Sequence, residues 1–263
     1  MPEPVASKFP PKEALDWFKA KGLKPAFDYR DVWKEEHANA FTVAKMLNAD
    51  LLVEVRQLVE QALEEGQTYQ QFATSLKPLL VKSGWWGIQE MNDPLTNETK
   101  LVQLGSEERV KTIYRTNMRT ARAAGQWQRI ERTKRAMPYL LYQLGPAKEH
   151  RALHVSWAGV LLPVDDPWWS THMPPNGWGC HCGVRSVSRV EAEKLTASGN
   201  ILTEAPNDGT KQWLNKRTGE VETLPAGIDP GWDYNPGKSR SASMKADLAE
   251  KEARLRQTLS APL

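Results

Sequence analysis

The sequence predicts an α+β fold in which an N-terminal helical region is followed by a long basic helix and a small C-terminal α/β module. Apolar residues at three- and four-residue steps dominate the first hundred residues, which indicates helices packed on one face. After Pro138 the pattern changes to short apolar runs broken by Gly and Pro, which is typical of strands. The expected segments are a helical region over 1–105, a long helix over 106–137, an α/β module over 138–236 and a polar arm over 237–263.

Three helices are expected in the N-terminal region. A short first helix follows Pro11, and a second amphipathic run covers residues 43–63. Thr68 and Gln71 have the capping-box spacing, in which each side chain bonds the backbone N–H of the other residue, so a third helix is expected to begin there. Pro78 should kink or shorten this third helix, because proline lacks the N–H that a helix interior needs.

One long helix is expected after the turn-rich stretch 83–105. Ser106 is a favourable N-cap, and the helix should run to about Arg135, a length of roughly 45 Å at 1.5 Å per residue. Its apolar face is narrow and made of small residues, which suits close packing against another helix. The opposite face carries five basic residues: Lys111, Arg115, Arg119, Arg122 and Arg129.

The C-terminal module is expected to contain short strands around a helix. The helix should cover residues 146–157, with a strand-like run on either side of it. A further strand is expected over residues 180–187. Residues 211–224 have the pattern of a hairpin, with Gly219 in the turn.

The composition excludes several classes of protein. There is no run of about 18 apolar residues, so no membrane-spanning segment is expected. The first residues lack a charged-then-apolar signal pattern, so the protein is expected to stay where it is made. Both cysteines lie in one Cys-x-Cys motif, too close to bridge each other easily, which excludes a disulfide scaffold. A net charge of +3 permits contact with nucleic acid without requiring it.

Residues 150–182 concentrate the side chains that carry chemistry. This segment holds both cysteines, four of the five histidines and four of the eleven tryptophans, in a long loop without periodicity. A loop of that length is rarely fixed in a compact domain unless something holds it, and a metal, the tryptophans or both could do so. The candidate metal ligands are His154, Asp165, Asp166, His172, Cys180 and Cys182.

The spacing of these residues is compatible with a zinc site. If the chain is extended at Cys180 and Cys182, their side chains point to the same side. Two thiolates, His154 and one more acid or histidine of the loop would fill a tetrahedral site, and zinc bound by four protein ligands would be structural. His150 could replace or support His154 on the same helical face. The alternative is that both cysteines are small buried hydrophobes beside Trp178.

Several segments of the sequence form a specific combination together with Arg151, His154 and Gly159. The segments are ALDWFKAKGLKP, WKEEHANAFTVAK, TIYRTNMRTARAAGQW, LPVDDPWW, PPNGWGCHC and IDPGWDYNPG. In this combination the sequence resembles the phage Mu F-like minor head proteins, the head morphogenesis family, over nearly its whole length.

Such a resemblance implies a low-copy structural protein of the virion head, associated with the portal region, needed for head assembly and often thought to touch the packaged DNA. It implies no demonstrated enzymatic activity. The middle residue of the Cys-x-Cys is usually basic in the family, whereas it is His181 here, which argues against a family-wide role for this residue.

The function expected from this resemblance is that of a minor capsid protein. It would assemble in the host cytoplasm, bind portal and capsid subunits, and remain in the virion head or at the portal vertex. A metal-dependent hydrolase, most plausibly a nuclease using His154, Asp165 or Asp166 and the cysteine-bound metal, is the alternative; a nucleic-acid-binding module without catalysis is a third. Asp165 and Asp166 precede a proline and could equally form a turn. No phosphate-binding loop, nucleophile elbow or zincin motif is present, so no residue is assigned a catalytic role.

Two surfaces are candidates for binding partners. The adjacent Trp168 and Trp169 could anchor an interface or cover the cysteines, because exposed aromatic residues often mark partner surfaces. The basic face of the long helix has no acid among its five cations, which favours a polyanion such as DNA phosphates or an acidic portal surface. A solvated helix face is the alternative.

Overall fold

The computed structural model describes residues 12–240 and residue 242. Within these residues the helices are α1 (Lys12–Lys19), α2 (Glu36–Asn39), α3 (Ala49–Glu64), α4 (Tyr69–Lys82), α5 (Glu107–Thr133), α6 (Ala152–Ser156), α7 (Trp169–His172) and α8 (Arg189–Ala197). The strands are β1 (Gly22–Leu23), β2 (Ala40–Phe41), β3 (Ile88–Asn92), β4 (Thr99–Gln103), β5 (Tyr139–Gln143), β6 (Leu161–Pro163), β7 (Gly183–Val187), β8 (Thr210–Leu214) and β9 (Val221–Pro225). This mixture confirms the predicted α+β class. Most of the predicted arm over 237–263 lies outside the described residues.

The N-terminal part is a helical layer in which α1, α3 and α4 pack against α5. Helix α3 begins later than predicted, because the Asn48 side chain accepts the N–H of Leu51 and caps the helix there. The capping box of Thr68 and Gln71 is confirmed at the start of α4. Pro78 lies inside α4 and does not shorten it, since the helix continues to Lys82; the alternative, a kink at Pro78, stays a prediction.

A β-hairpin occupies the stretch that was predicted only as turn-rich. Strands β3 and β4 are antiparallel, with Ile88 opposite Gln103 and Asn92 opposite Thr99. Nearly all of their side chains are exposed, so the alternation of apolar and polar residues that identifies a half-buried strand is absent here. Asn97 lies in the connecting turn with φ of 58°, in the left-handed region that asparagine tolerates.

Helix α5 is the central element of the molecule. The Ser106 hydroxyl accepts the N–H of Arg109, as the predicted N-cap requires. The small-residue face packs closely on α1: a Cβ atom added at Gly125 would lie 2.7 Å from the backbone nitrogen of Ala14. The second half of α5 contributes Trp127 and Ile130 to a separate apolar cluster. The helix therefore belongs to both hydrophobic cores.

The C-terminal module contains a three-stranded antiparallel sheet in the order β6-β5-β7. The helix predicted over 146–157 is mostly wrong, because only Ala152–Ser156 is helical. The preceding chain is irregular and passes very close to the cysteine segment: a Cβ atom at Gly145 would overlap the carbonyl group of His181. Only glycine permits this approach, because any side chain at this position would overlap the cysteine segment.

The hairpin of β8 and β9, which the sequence predicted, connects the module to the N-terminal part. Trp213 of this hairpin stacks on Trp33, with ring centroids 5.3 Å apart. Arg217, in the turn, forms ion pairs with Asp31 and Asp93. No helix of the described residues is both long and apolar enough to cross a membrane.

Candidate metal centre and its surroundings

His154, Cys180 and Cys182 converge in the C-terminal module. Their potential ligand atoms all lie within 4.8 Å of one another. The Nδ1 atom of His154 is 3.8 Å from the sulfur of Cys180 and 3.6 Å from that of Cys182. His154 and Cys180 are buried, whereas Cys182 is partly exposed. One cluster of nitrogen and sulfur donors is thus formed by a histidine and two cysteines that lie 26 and 28 positions after it in the sequence.

The histidine ring is oriented for metal binding. His154 lies in the short helix α6, and its Nε2 atom is 2.9 Å from the carbonyl oxygen of Gly227. Because a carbonyl can only accept, Nε2 carries the proton and Nδ1 presents its lone pair to the two sulfurs. The ring also stacks on Trp157, with centroids 4.8 Å apart. A hydrogen bond from the second ring nitrogen is what fixes most metal-binding histidines in proteins.

The cysteine segment is an irregular loop rather than the predicted strand, and β7 begins only at Gly183. Arg151 and Asp229 hold the loop in place. The Arg151 guanidinium donates to the carbonyl oxygen of Trp178 (3.1 Å) and to Asp229 (2.8 Å). The same carboxylate oxygen accepts the backbone N–H of Trp178 at 2.9 Å. These contacts stabilise the loop immediately before Cys180.

The two thiols are electrostatically different. Their mutual hydrogen bond lowers the pKa of Cys182 and raises the pKa of Cys180. The first proton therefore leaves the Cys182 sulfur, which the hydrogen bond from Cys180 stabilises as a thiolate. Metal binding requires thiolates, so the cluster offers at least one ligand in the required state.

The distances fit a tetrahedral zinc ion. Zinc lies about 2.3 Å from thiolate sulfur and about 2.0–2.1 Å from imidazole nitrogen, which places nitrogen and sulfur about 3.6 Å apart in a tetrahedron. The 3.6 and 3.8 Å separations around His154 match this spacing. Two sulfurs and one nitrogen also favour zinc, because magnesium and calcium prefer oxygen ligands. The residues present thus fit a zinc ion with three protein ligands.

The remaining candidate ligands lie outside this cluster and contact other groups. Asp165 forms an ion pair with Lys134 at 2.8 Å. Asp166 accepts the backbone N–H of Trp168, which is the turn geometry that was the alternative for this residue. His172 stacks on Trp168, with ring centroids 4.3 Å apart. Among the described residues, the structure therefore brings together three of the six predicted ligands.

The tryptophan pair is part of the core. Trp168 is 8% exposed and Trp169 is fully buried, so the expectation that they form an exposed partner-binding surface is wrong. The Trp169 indole donates to the carbonyl oxygen of Pro163, and both rings pack in the same apolar cluster as Trp157. Trp178, at 41% exposure, is the tryptophan of this segment that faces solvent.

The basic face of α5 divides into two groups. The side chains of Lys111, Arg115 and Arg122 are exposed. Arg119 is half-buried, donates to the carbonyl oxygen of Cys180 at 3.0 Å and contacts the His181 ring. Arg129 forms an ion pair with Glu13 of α1. These two arginines thus have structural partners.

A groove runs beside the exposed cations. It lies between α5 and the cysteine loop, and Lys111, Arg115, Arg119, Trp178 and Trp232 contribute to its walls. The groove combines positive charge with aromatic surface. Three of the five predicted cations line it.

Several residues that position the site were not predicted as functional. Asn176 is fully buried, accepts the Tyr142 hydroxyl through its side chain and accepts the N–H of Asp229 through its backbone carbonyl. Asn235 donates to the carbonyl oxygen of Trp169. The sequence feature that could have identified them is their position in Pro- and Gly-rich segments. In such segments polar side chains often form hydrogen bonds with backbone N–H and C=O groups that no helix or sheet pairs.

Comparisons with known proteins assign the chain to a family. The family model described as "Phage Mu protein F like protein" matches residues 53–185, and the chain belongs to this family. It is 36% identical to the "Putative capsid assembly protein F" of Escherichia phage Mu, over 93% of this chain and 57% of the phage protein. It is 35% identical to the "Mu-like prophage FluMu F protein" of Haemophilus influenzae, over 82% of this chain and 54% of that protein. The chain thus spans just over half the length of these relatives. No solved structure matches it.

Proposed function

We propose that this chain is a structural component of a phage or prophage head that acts in capsid assembly. The observation that carries the proposal is the identity of 36% to the phage Mu protein whose name describes capsid assembly, across nearly the whole chain. We further propose that the protein binds portal and capsid subunits, assembles in the host cytoplasm and remains in the virion head at the portal vertex.

A nonsense mutation in the gene of a phage or inducible prophage that encodes this chain tests the proposal. Loss of the protein should strongly reduce the yield of DNA-filled heads seen by electron microscopy, and expression in trans should restore it. Antibody against the protein should detect it in purified wild-type heads. Normal yields of filled heads without the protein would contradict an assembly role.

We propose that His154, Cys180 and Cys182 bind a zinc ion whose role is structural. The burial of His154 and Cys180 supports this, because a structural metal stabilises the loops that surround it. The described residues supply three ligands and not the four on which the sequence argument for a structural ion depends. The structural role therefore requires a further donor that completes the tetrahedron, since a water molecule there would leave the open position of a catalytic site. When bound, the ion would fix α6 to the cysteine loop.

Elemental analysis of protein purified without chelators tests the zinc proposal. We expect about one zinc per chain, and Cys180→Ser should abolish this content because one thiolate ligand is lost. His150→Ala is the matched control, since His150 is an exposed histidine outside the cluster. Zinc-free wild-type protein would contradict the proposal. Zinc-dependent cleavage of DNA would instead favour the nuclease alternative, for which Asp165 and Asp166 are poorly placed.

We also propose that the exposed cations Lys111, Arg115 and Arg122 contact a polyanion, with DNA as the probe. Three phosphate contacts predict a slope of about −2 to −3 in a plot of log affinity against log salt for duplex DNA. Arg115→Glu should weaken binding equally for all sequences, because phosphate contacts do not read bases. Lys82→Glu, at the exposed end of α4, makes the same charge change away from this face. If both variants lost the same affinity for DNA, or if binding did not depend on salt, this face of α5 would be an ordinary solvated surface.

A further inference from the structure

A cavity whose lining includes Trp178 contains none of the residues of the metal cluster or of the three-stranded sheet. It has a volume of about 180 Å³ and is enclosed by the chain around β2, by α5 and by residues 230–234. No aspartate or glutamate is among its lining residues, all of which belong to the described part of the chain. Its walls include six aromatic rings: Tyr29, Trp33, Phe41, Trp178, Trp232 and Tyr234.

Lys21 lines this cavity as a buried cation, and no acidic side chain of the described residues forms an ion pair with it. Its side chain belongs to a residue that is 8% exposed, and its ammonium lies 4.4 Å from the centroid of the Trp17 ring. The charged groups that act on it are Arg240 and Arg56, both cations. Burial, reinforced by these two arginines, lowers the pKa of Lys21 to about 7. A buried charge without a counter-ion is unfavourable, and the ring offsets only part of this cost.

The other cations of the cavity differ from Lys21. Arg109 donates to the carbonyl oxygens of Gln103 and Ala44. Burial lowers the pKa of His37 to about 4, so this ring is neutral at pH 7. The lining also contains a buried hydroxyl, that of Thr42, which has no hydrogen-bond partner within the described residues. Lys21 and Thr42 are therefore buried polar groups of the cavity whose side chains have no hydrogen-bond partner among the described residues.

We propose that this cavity binds an apolar carboxylate. The ammonium of Lys21 would pair with the carboxylate, the Thr42 hydroxyl offers a second polar contact, and the aromatic walls enclose a ring or branched aliphatic group. Ligand sites commonly combine such apolar walls with a few polar groups that fix orientation. One positive charge and one hydroxyl match a monoanion better than a phosphate. The ligand is either a free small carboxylate or the C-terminal residue of a polypeptide.

The first experiment compares a carboxylate with its neutral analogue. The probes are 3-phenylpropionate and 3-phenylpropanamide, and the readouts are calorimetry and the intrinsic fluorescence that the lining tryptophans supply. We expect the carboxylate to bind at least ten-fold more tightly than the amide. Equal binding of both probes would overturn the proposal, because the charge of Lys21 would then contribute nothing.

The second experiment changes the cavity. Lys21→Met should reduce affinity for 3-phenylpropionate at least ten-fold while keeping or raising the melting temperature, since it removes an unpaired buried charge. Lys24→Met is the matched control, because Lys24 is exposed and pairs with Glu36. Unchanged affinity in the Lys21 variant would overturn the proposal. If that variant fails to fold, Thr42→Val and the amide comparison in the unmodified protein still decide it.

The pH dependence gives an independent readout. The charged or titratable groups that face Lys21 are His37 of α2, Arg56 of α3 and Arg240 near the C-terminal end of the described chain. The pKa of His37 is lowered to about 4, so this ring stays neutral between pH 6 and 9. Affinity for the carboxylate should therefore fall as the pH rises from 6 to 9 and Lys21 loses its proton. A flat profile would contradict the pairing with Lys21.

Peptides distinguish the two sources of the carboxylate. The probes are acetylated tripeptides ending in phenylalanine, with a free or an amidated C-terminus. Tighter binding of the free-acid peptide than of 3-phenylpropionate would assign the site to a polypeptide C-terminus, and the reverse order would assign it to a small molecule. Failure of both the peptide and 3-phenylpropionate to bind at millimolar concentration would overturn the proposal.

Discussion

The helical region and the C-terminal module are stabilised by different kinds of contact. In the helical region, apolar side chains of α1, α3, α4 and α5 form one large cluster, with residues such as Leu52, Phe72 and Leu76 fully buried. In the module, the cluster is smaller and centres on tryptophans, with Trp157 and Trp169 completely enclosed. The first region is built mainly from helices, whereas much of the second is irregular chain.

Irregular chain needs specific partners for its backbone groups, because no helix or sheet satisfies them. In the module these partners are polar side chains. Asp229 accepts the N–H of Trp178, and Asn235 donates to the carbonyl oxygen of Trp169 while its own oxygen accepts the N–H groups of Gly237 and Lys238. The module therefore depends on individual residues, and the helical region depends on the total apolar surface that it buries.

Metal removal should have the largest effect and should separate the two regions. A chelator should lower the melting temperature of zinc-loaded protein by on the order of 10 °C, since several kcal/mol of binding energy would be lost from the folded state. Hydrogen exchange should show lost protection in β5 and β7, whereas α3 and α4 keep theirs. Equal loss in both regions would show that the helical part also depends on the metal. Unchanged exchange throughout would contradict a structural ion.

Truncation of Trp169, a buried tryptophan of the module, should have the second-largest effect on stability. Trp169→Ala should cost about 3–5 kcal/mol, because it removes a large, fully buried ring and leaves a cavity. Trp178→Ala is the control, and should stay within about 0.5 kcal/mol because this ring is substantially exposed. Urea unfolding at saturating zinc measures both. A small cost at Trp169 would mean that the metal, and not the apolar cluster, supplies most of the stability of the module.

The same difference explains how far the sequence could predict the fold. Helices with clear caps and periodicity were predictable, as Thr68 and Ser106 illustrate. The exposed hairpin of β3 and β4 was not, because neither strand has a buried face. The helix predicted over 146–157 was mostly wrong, because only Ala152–Ser156 is helical and the chain before it is irregular. Local periodicity is a weak guide where tertiary contacts compete with it.

The site was predictable as a set of residue types but not as a geometry. Cysteine and histidine spacing identified His154, Cys180 and Cys182, whose side chains do converge. The spacing could not distinguish these three ligands from His172. In the structure the His172 ring stacks on Trp168, and this tertiary contact is not visible in the residue spacing. Lys21 carried no signal at all, since an isolated lysine after a helix ordinarily faces solvent.

The junction between the two regions provides the smallest predicted effect on stability, and it involves Arg217 in the β8–β9 turn. Its guanidinium lies between Asp31 and Asp93, and the side chains of Arg217 and Asp93 are 8% and 2% exposed. Arg217→Met would leave the Asp93 carboxylate buried, with Lys100, 3.7 Å away, as its remaining ion-pair partner among the described residues. We expect the free energy of unfolding at pH 7 to fall by about 3 kcal/mol. This is the low end of the usual cost of breaking a buried ion pair, because the second cation, Lys100, remains. Lys216→Met, at the exposed neighbouring position, should change stability little.

Acid unfolding distinguishes this pair from an ordinary packing contact. The hydrogen bond from Arg217 lowers the pKa of Asp93 from its ordinary 3.8 to about 2. Because the folded state holds this carboxylate ionised more strongly than the unfolded chain does, its stabilising contribution is complete above pH 4 and is lost as the pH falls towards 2. In Arg217→Met, this part of the acid dependence should disappear, so the urea midpoints of variant and wild type should approach each other between pH 4 and 2. A constant difference across that range would mean that Arg217 joins the hairpin to the N-terminal part through packing rather than through charge.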